Sequence, residues 1–123
     1  MISFKRANHI NICVTPEQLE EAKAFYADVI GLKLIPRPDH IFDSKGYWFD
    51  IGDIQLHIGV EPKMPRSNRH TAFEVEDVTA AREWLEVNNV ELVKEPVVPG
   101  WDRFAFYDPF GNRIELVQIV SLV

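Results

Sequence analysis

The sequence predicts an α+β protein built from two copies of a βαβββ module. Hydrophobic periodicity indicates a strand, a helix and a run of short strands, and the same order then repeats. Chemically similar residues of the two halves recur at nearly constant spacing. The pairs are His9 and His70 (61 apart), Phe25 and Trp84 (59 apart) and His57 and Glu115 (58 apart). Apolar and polar side chains also alternate along the strands, which is typical of sheets with one buried face.

In the first module we predict strands at 6–14, 33–35, 47–51 and 55–60. The helix after the first strand has an N-terminal signature. Thr15 is the N-cap, Pro16 takes the first helical position and Gln18 follows three residues after the cap. Gly31 is the predicted stop, because glycine tolerates the backbone conformation that ends many helices.

The second module repeats this order, with strands predicted at 69–75, 90–94, 103–107 and 113–119. Its helix begins after Asp77 or Thr79 and ends at 88–89, and 108–112 (Asp-Pro-Phe-Gly-Asn) forms the last turn. We therefore predict a single domain over 1–123, with module one at 1–60, a linker at 61–68 and module two at 69–123.

Composition excludes several classes of function. The 123 residues carry a net charge of −6, and an acidic surface disfavours nucleic acid and anionic lipid as partners. No apolar run is long enough to cross a bilayer, and the first residues lack a secretory signal, so we expect a cytoplasmic protein. The single cysteine, Cys13, leaves neither an internal disulfide nor a two-cysteine metal site.

Successive side chains of a strand point to opposite faces, so odd and even positions (the strand parity) separate the two faces. By this rule four strands each carry one imidazole or carboxylate on their more polar face. The four residues are His9, His57, His70 and Glu115. The opposite face of each of these strands is apolar and suits packing under a helix. Asn11 shares the polar face with His9 and is a candidate substrate-binding residue. His40 lies in a loop outside this pattern, and we interpret it as an ordinary surface histidine.

Several motifs resemble those of one superfamily. They are Asn-His-Ile-Asn-Ile-Cys-Val at 8–14, Leu-His-Ile-Gly-Val at 56–60, His-Thr-Ala-Phe at 70–73 and Tyr-Asp-Pro-Phe-Gly-Asn-Arg-Ile-Glu-Leu at 107–116. On these residues the chain resembles the vicinal oxygen chelate superfamily. That superfamily includes glyoxalases, bleomycin-resistance proteins, fosfomycin-resistance enzymes, methylmalonyl-CoA epimerases and extradiol dioxygenases.

The resemblance implies a fold and a metal site. In that family the modules form a curved mixed sheet around a pocket, with helices on the outer face and ligands on the first and last strand of each module. His9, His57, His70 and Glu115 occupy those positions. Three imidazoles and one carboxylate suit Zn, Ni, Co, Mn or Fe(II). The resemblance also implies a homodimer, with the site either within one chain or shared between two.

The implied activity is that of a glyoxalase-like lyase, isomerase or epimerase. Such an enzyme acts on a small molecule with adjacent oxygens through a metal-chelated enediolate or other oxyanion. Glu115 is the ligand that can act as general base. His57 stands where lactoylglutathione lyases carry a carboxylate, which argues against glyoxalase activity itself. His9, His70 and Glu115 also match an Fe(II) extradiol dioxygenase, and a metal-independent, bleomycin-like binding protein is the remaining alternative.

Three further residues are candidates for contact with a substrate. Trp48 shares a strand face with Asp50 and would provide a stacking wall for an apolar part of the substrate, with ordinary packing as the alternative. Arg103 would hold a carboxylate, although a surface salt bridge is the alternative. Trp101 is expected at the tip of the segment 95–102, which is long enough to cover a pocket.

Overall fold

The computed structural model describes residues 1–121, so the last two residues of the predicted second module lie outside it. The chain divides into two compact units, Met1–Lys63 and Met64–Val123. Each unit contains a four-stranded mixed sheet and a helical segment after its first strand, and the first unit also has a short 3-10 helix (Asp39–Ile41). The prediction of an α+β fold with two βαβββ modules is therefore confirmed, and each module forms its own sheet.

The first unit has its strands in the order β1-β4-β3-β2. They are β1 (His9–Val14), β2 (Lys33–Ile35), β3 (Tyr47–Ile51) and β4 (Ile54–Val60). β1 and β4 pair in parallel, and the other pairs are antiparallel. The first and last strands of the module are therefore neighbours, which brings their side chains onto one surface.

The helical segment of the first unit begins where the sequence predicts. A 3-10 turn (Pro16–Gln18) leads into α1 (Leu19–Ala24), and a π-helical turn (Phe25–Val29) follows. The Thr15 backbone N–H donates to Gln18 Oε1 at 3.2 Å, which satisfies one of the N–H groups at the start of the helix. Gly31 has a φ of 84° and ends the segment as predicted.

The second unit repeats the topology in the order β5-β8-β7-β6. Its strands are β5 (His70–Glu74), β6 (Glu91–Lys94), β7 (Trp101–Tyr107) and β8 (Arg113–Ile119). β5 and β8 are the parallel pair. α2 (Val78–Val87) begins after Asp77, whose Oδ1 accepts from the Ala80 N–H at 2.9 Å. Asp77, and not Thr79, is therefore the cap.

Each sheet buries the face that strand parity assigned to the helix. Leu56 and Ile58 of β4 are 0% and 1% exposed, while His57 between them is half-buried. Phe104 and Phe106 of β7 are buried, and Val78 and Leu85 are the buried residues of α2. The polar faces of both sheets thus lie on the side away from these apolar residues.

The structure corrects the expected position of Trp101. The Trp101 N–H donates to the Val98 carbonyl oxygen at 3.0 Å, and Gly100 adopts a φ of 82° in the tight turn before it. β7 therefore begins at Trp101, which pairs with Ile119 of β8, two residues earlier than predicted. Trp101 is the first residue of a strand and not the tip of a long loop.

No helix in the described part of the chain is long and apolar enough to span a membrane.

Candidate metal centre

Glu115 is a buried carboxylate in the middle of the second sheet. It is 2% exposed, and its strand partners are Ala72 on β5 and Ala105 on β7. Both neighbours therefore have small side chains. His70 Nε2 lies 3.5 Å from Glu115 Oε1, so the two predicted ligands of the second unit are adjacent.

A backbone carbonyl fixes the orientation of the His70 ring. Nδ1 lies 2.7 Å from the Asn68 carbonyl oxygen, which can only accept, so Nδ1 carries a proton. In the neutral ring Nε2 then keeps its lone pair, on the side that faces Glu115. A carbonyl partner on the second ring nitrogen is the usual arrangement for a histidine that binds a metal.

Arg103 also contacts Glu115. Its Nη1 donates to Glu115 Oε1 at 2.9 Å, and its Nε and Nη2 both donate to the Pro96 carbonyl oxygen, at 3.2 and 2.9 Å. The guanidinium predicted to hold a substrate carboxylate therefore already holds a carboxylate of its own chain. A direct contact between Arg103 and a substrate stays a prediction.

In the first unit, the predicted ligands His9 and His57 form a ring stack with Trp48. The His9 and His57 ring centroids are 4.1 Å apart at 19°, and those of Trp48 and His57 are 4.2 Å apart at 5°. Trp48 and His57 are direct cross-strand partners, which explains their contact. Trp48, predicted as a stacking wall for a substrate, thus stacks on His57.

Hydrogen bonds orient both imidazoles of this stack. His9 Nδ1 donates to Asn8 Oδ1 at 2.9 Å, and His57 Nε2 donates to Gln55 Oε1 at 2.9 Å. In the neutral rings His9 therefore keeps the lone pair on Nε2, whereas His57 keeps it on Nδ1. Because the two rings are stacked, their in-plane lone pairs lie in two nearly parallel planes.

The surroundings of His57 favour its neutral form. Burial is the main cause that lowers the pKa of His57, and the nearby charges of His9 and Arg37 lower it further. Phe42 packs edge-on against Trp48, with centroids 6.0 Å apart, and the Arg37 guanidinium lies 4.3 Å from the centre of the Phe42 ring. Phe42 and Arg37, from the loop before β3, were not among the predicted site residues.

The remaining candidates lie on the same sheet faces. Asn11 is the strand partner of His57, and its Nδ2 donates to Cys13 Sγ at 3.4 Å. Trp101 is 45% exposed and shares a face of β7 with Arg103. Their contact with a substrate stays a prediction.

The four predicted ligands thus form one pair in each unit. His9 and His57 are neighbours in the first unit, and His70 and Glu115 are neighbours in the second. Among residues 1–121, no group of three or more His, Cys, Asp or Glu side chains is arranged to hold a metal ion. The set of four ligands therefore stays a prediction.

The partners that orient the histidines were missed in the sequence. Gln55 is two residues before His57 and Asn68 is two residues before His70, so parity had already placed Gln55 on the face of its histidine. The link from Arg103 to Glu115 follows from the antiparallel register, in which Ala105 is opposite Glu115. That register would have been the signal for this contact.

The closing motif 108–112 is a structural turn. Asp108, which is 1% exposed, accepts hydrogen bonds from the backbone N–H groups of Phe110 and Asn112 at 2.9 and 2.8 Å. The Asn112 side chain donates to the second Asp108 oxygen at 2.9 Å. The motif thus fixes the β7–β8 hairpin, which sets the register of Glu115.

Comparison with known proteins identifies similar chains. A family model described as Glyoxalase/Bleomycin resistance protein/Dioxygenase superfamily matches residues 6–116. The uncharacterized protein YaeR of Escherichia coli strain K12 is 31% identical over 134 residues, which cover 96% of this chain and 99% of YaeR.

Solved structures show the same fold. A protein from Bacillus anthracis, described as a glyoxalase family protein, has a TM-score of 0.85 and 33% identity, over 97% of this chain and 99% of its own. A variant of the fosfomycin resistance protein FosX from Listeria monocytogenes, solved with Mn(II) and 1S,2S-dihydroxypropylphosphonic acid, has a TM-score of 0.78 and 25% identity, over 99% and 95%. With a family model spanning most of its length and a relative above 30% identity along nearly all of it, the chain belongs to the Glyoxalase/Bleomycin resistance protein/Dioxygenase superfamily, as its motifs predicted.

Proposed function

We propose that this protein is a metal-dependent, glyoxalase-like enzyme that acts on a small molecule with adjacent oxygens. The observation that carries the proposal is the His70–Glu115 pair, in which an oriented imidazole nitrogen lies 3.5 Å from an oxygen of a buried carboxylate. The FosX relative binds Mn(II) together with a compound that has adjacent hydroxyl groups, which supports the same class of cofactor and substrate.

The chemistry of this donor pair fits a divalent cation. With Nδ1 protonated, the neutral His70 ring turns an acceptor nitrogen toward the acceptor oxygen of Glu115, and a cation relieves the repulsion between two lone pairs. Nitrogen and oxygen ligands at about 2.1 Å from one ion lie about 3.0–3.5 Å apart. The observed separation of 3.5 Å agrees with this range without a change of strand geometry.

In the proposal, His9 and His57 supply the remaining ligands, as the family resemblance implies. His9 offers Nε2, because its Nδ1 is bonded to Asn8. The lowered pKa of His57 keeps that ring neutral near pH 7, which is the state a metal ligand needs. Coordination by His57 would use Nδ1, because its Nε2 is bonded to Gln55.

The chemistry assigned to the site is proton transfer next to an oxyanion. A divalent cation bound there would act as a Lewis acid and stabilise negative charge on adjacent substrate oxygens. Glu115 would move the proton, since it is the carboxylate among the proposed ligands. Glu115 is 2% exposed and Arg103 holds one of its oxygens, which favours a defined geometry for proton transfer.

Metal binding is the first test of this function. We expect protein purified without a histidine tag to bind about one Mn²⁺ or Zn²⁺ per chain, measured by plasma mass spectrometry and calorimetry. His70→Gln and Glu115→Gln should each weaken binding by about 100-fold or more, because each removes a ligand. His40→Gln is the matched control, since His40 is exposed in a short 3-10 turn. Failure of the unaltered protein to bind any divalent ion would overturn the proposal.

One observation favours a second function, an extradiol-type dioxygenase. His57 Nε2 is bonded to Gln55 and the ring is stacked on both faces, which leaves His9, His70 and Glu115 as a two-histidine, one-carboxylate set. The protein would be loaded with Fe(II) without oxygen and then mixed with a catechol in air-saturated buffer. Consumption of oxygen would identify this activity. Binding of a planar drug with equal affinity in EDTA would instead support the metal-independent binding function.

We also propose that the protein is a homodimer, as the family resemblance implies. Sedimentation equilibrium at micromolar concentration measures the mass directly. A mass of about twice 14.2 kDa is expected, and a mass of one chain at every concentration would contradict the dimer.

A further inference from the structure

The side chain of Arg103 is built into the Glu115 site. It is 16% exposed, and three of its nitrogens donate hydrogen bonds. One bond goes to Glu115 Oε1, and two go to the Pro96 carbonyl oxygen in the segment before β7. The planar guanidinium thus bridges a carboxylate and a backbone carbonyl, which a lysine ammonium does not reproduce in one geometry.

The contacts of Glu115 fall on one oxygen. Oε1 receives Arg103 Nη1 at 2.9 Å and lies 3.5 Å from His70 Nε2. Within residues 1–121, Glu115 Oε2 accepts no hydrogen bond from the protein. No fully buried side-chain nitrogen or oxygen in that range lacks a partner, so Oε2 keeps contact with solvent. The two carboxylate oxygens therefore have different surroundings.

We infer that Arg103 is a positioning residue for Glu115: its bond to Oε1 holds the carboxylate beside His70, and the second lone pair of Oε1 and both lone pairs of Oε2 are left for a metal ion or a substrate proton. The inference rests on the proposed function, because these lone pairs matter only if the site binds a ligand. In this role Arg103 contacts the proposed ligand Glu115 and does not bind the metal ion itself. The two hydrogen bonds to the Pro96 carbonyl oxygen hold the guanidinium in place.

The direction in which metal affinity changes when Arg103 is removed distinguishes a positioning role from a purely electrostatic one. A positive guanidinium repels a divalent cation, so if Arg103 acted only through its charge, its removal would tighten metal binding. If Arg103 holds the carboxylate in place, its removal weakens metal binding, typically by about 10–100-fold for an outer-shell partner of a ligand. The two roles therefore predict opposite changes.

The experiment compares Mn²⁺ affinity among three variants by calorimetry. Arg103→Met should bind Mn²⁺ about 10–100-fold more weakly than the unaltered protein, and Arg103→Lys should fall in the same range because it keeps the charge but loses the planar fork. Arg82→Met is the matched control. Arg82 pairs with Asp102 at 3.2 Å and lies over the Phe104 ring, in the same unit. Arg82→Met should bind Mn²⁺ with the same affinity as the unaltered protein.

Three results would overturn the inference: unchanged or tighter binding in Arg103→Met, full recovery in Arg103→Lys, or an equal loss in Arg82→Met. A measurement on metal-free protein separates this outcome from failure of the proposed function. Glu115→Gln should shift the signal of the Arg103 Nη1–H group, which donates to Glu115, in ¹H–¹⁵N spectra and speed its exchange with water about 5–10-fold.

Glu91→Gln is the control for the spectra, since Glu91 pairs with Arg66 instead. If the unaltered protein binds no metal but the Arg103 signal responds to Glu115→Gln alone, the proposed function fails and the pairing stands. An Arg103 signal that is indifferent to Glu115→Gln would refute the positioning role whether or not metal binds.

Discussion

Neighbouring oxygens determine which ring nitrogen carries the proton in the three histidines that are predicted ligands. His9 donates to Asn8, His57 to Gln55 and His70 to Asn68. Each bond fixes which ring nitrogen keeps the lone pair, and so which nitrogen can bind a metal. Two of the three partners are themselves side chains whose substitution leaves the histidine in place. Substitutions of Asn8 or Gln55 can therefore change the orientation of a histidine ring without removing the histidine.

The ring stack should contribute to the stability of the first unit. Trp48 lies flat on His57 with an interplanar angle of 5° and packs against Phe42. Trp48→Leu should lower the free energy of unfolding by about 1–2 kcal/mol, because the stacking and part of the buried area are lost. Urea denaturation measures this. Trp84→Leu is the control, since Trp84 is 51% exposed, and an equal loss there would contradict a role for the stack.

Cys13 should react slowly with alkylating reagents. Burial and the nearby Glu61 carboxylate raise the pKa of the Cys13 thiol, while the hydrogen bond from Asn11 lowers it. The thiolate reacts, so the midpoint of the rate–pH profile with iodoacetamide should lie above the midpoint for a free cysteine. Glu61→Gln should move this midpoint down, and Asn11→Ala should move it up. A midpoint at or below that of a free cysteine, measured under the same conditions, would contradict this account.

At the scale of elements, the parallel pairing of the first and last strand in each module creates the site pairs. β1 lies beside β4, and β5 lies beside β8. Residues on adjacent strands with the same facing are then close enough to interact, even though they are more than 40 positions apart in the chain. The helices fix this arrangement because they cover the apolar faces, and their caps define where they begin.

The N-cap of α2 offers a test at this scale. Asp77 Oδ1 accepts the Ala80 N–H at 2.9 Å and satisfies one of the first N–H groups of the helix. Asp77→Ala should lower the free energy of unfolding by about 0.5–2 kcal/mol, measured by thermal or urea denaturation. Glu76→Ala, at the exposed neighbouring position, should change it by less than about 0.5 kcal/mol. Equal effects of the two substitutions would rule out the cap.

At the scale of the molecule, the fold is a duplication of one module, and the chain is a member of a superfamily of that design. Each unit buries its own apolar face, with Phe49 and Leu56 in the first and Phe104 and Phe106 in the second. Both sheets are thereby left with a polar face that carries one pair of predicted ligands. Metal binding should therefore change a property of the folded protein as a whole.

Zinc or manganese should raise the stability of the protein by mass action. An ion that binds only the folded state, at 100 times its dissociation constant, adds about 2.7 kcal/mol to the free energy of unfolding. Scanning calorimetry should show a midpoint higher by roughly 8 °C or more. EDTA should reverse the increase, and Glu115→Gln should remove most of it. An equal increase in Glu115→Gln would mean that the ion binds elsewhere.

Local regularities explain what could be predicted. The 61-, 59- and 58-residue spacings revealed the duplicated module, and alternation with period two assigned His57 and Glu115 to the faces they occupy. The start of α2 at Asp77 was also within reach, because a cap is chosen by its own side chain. The start of β7 was missed, since its first two residues are held by pairing with β8 and not by their own pattern.

The sequence by itself determined the fold class, the family and the face on which each predicted ligand lies, because periodicity and capping are properties of neighbouring residues. Only the tertiary structure decided that Arg103 donates a hydrogen bond to Glu115, and that His57 stacks between His9 and Trp48. Those contacts depend on the register between strands that are distant in the chain. Register is set by turns and by packing of whole sheets, so no single stretch of sequence contains it.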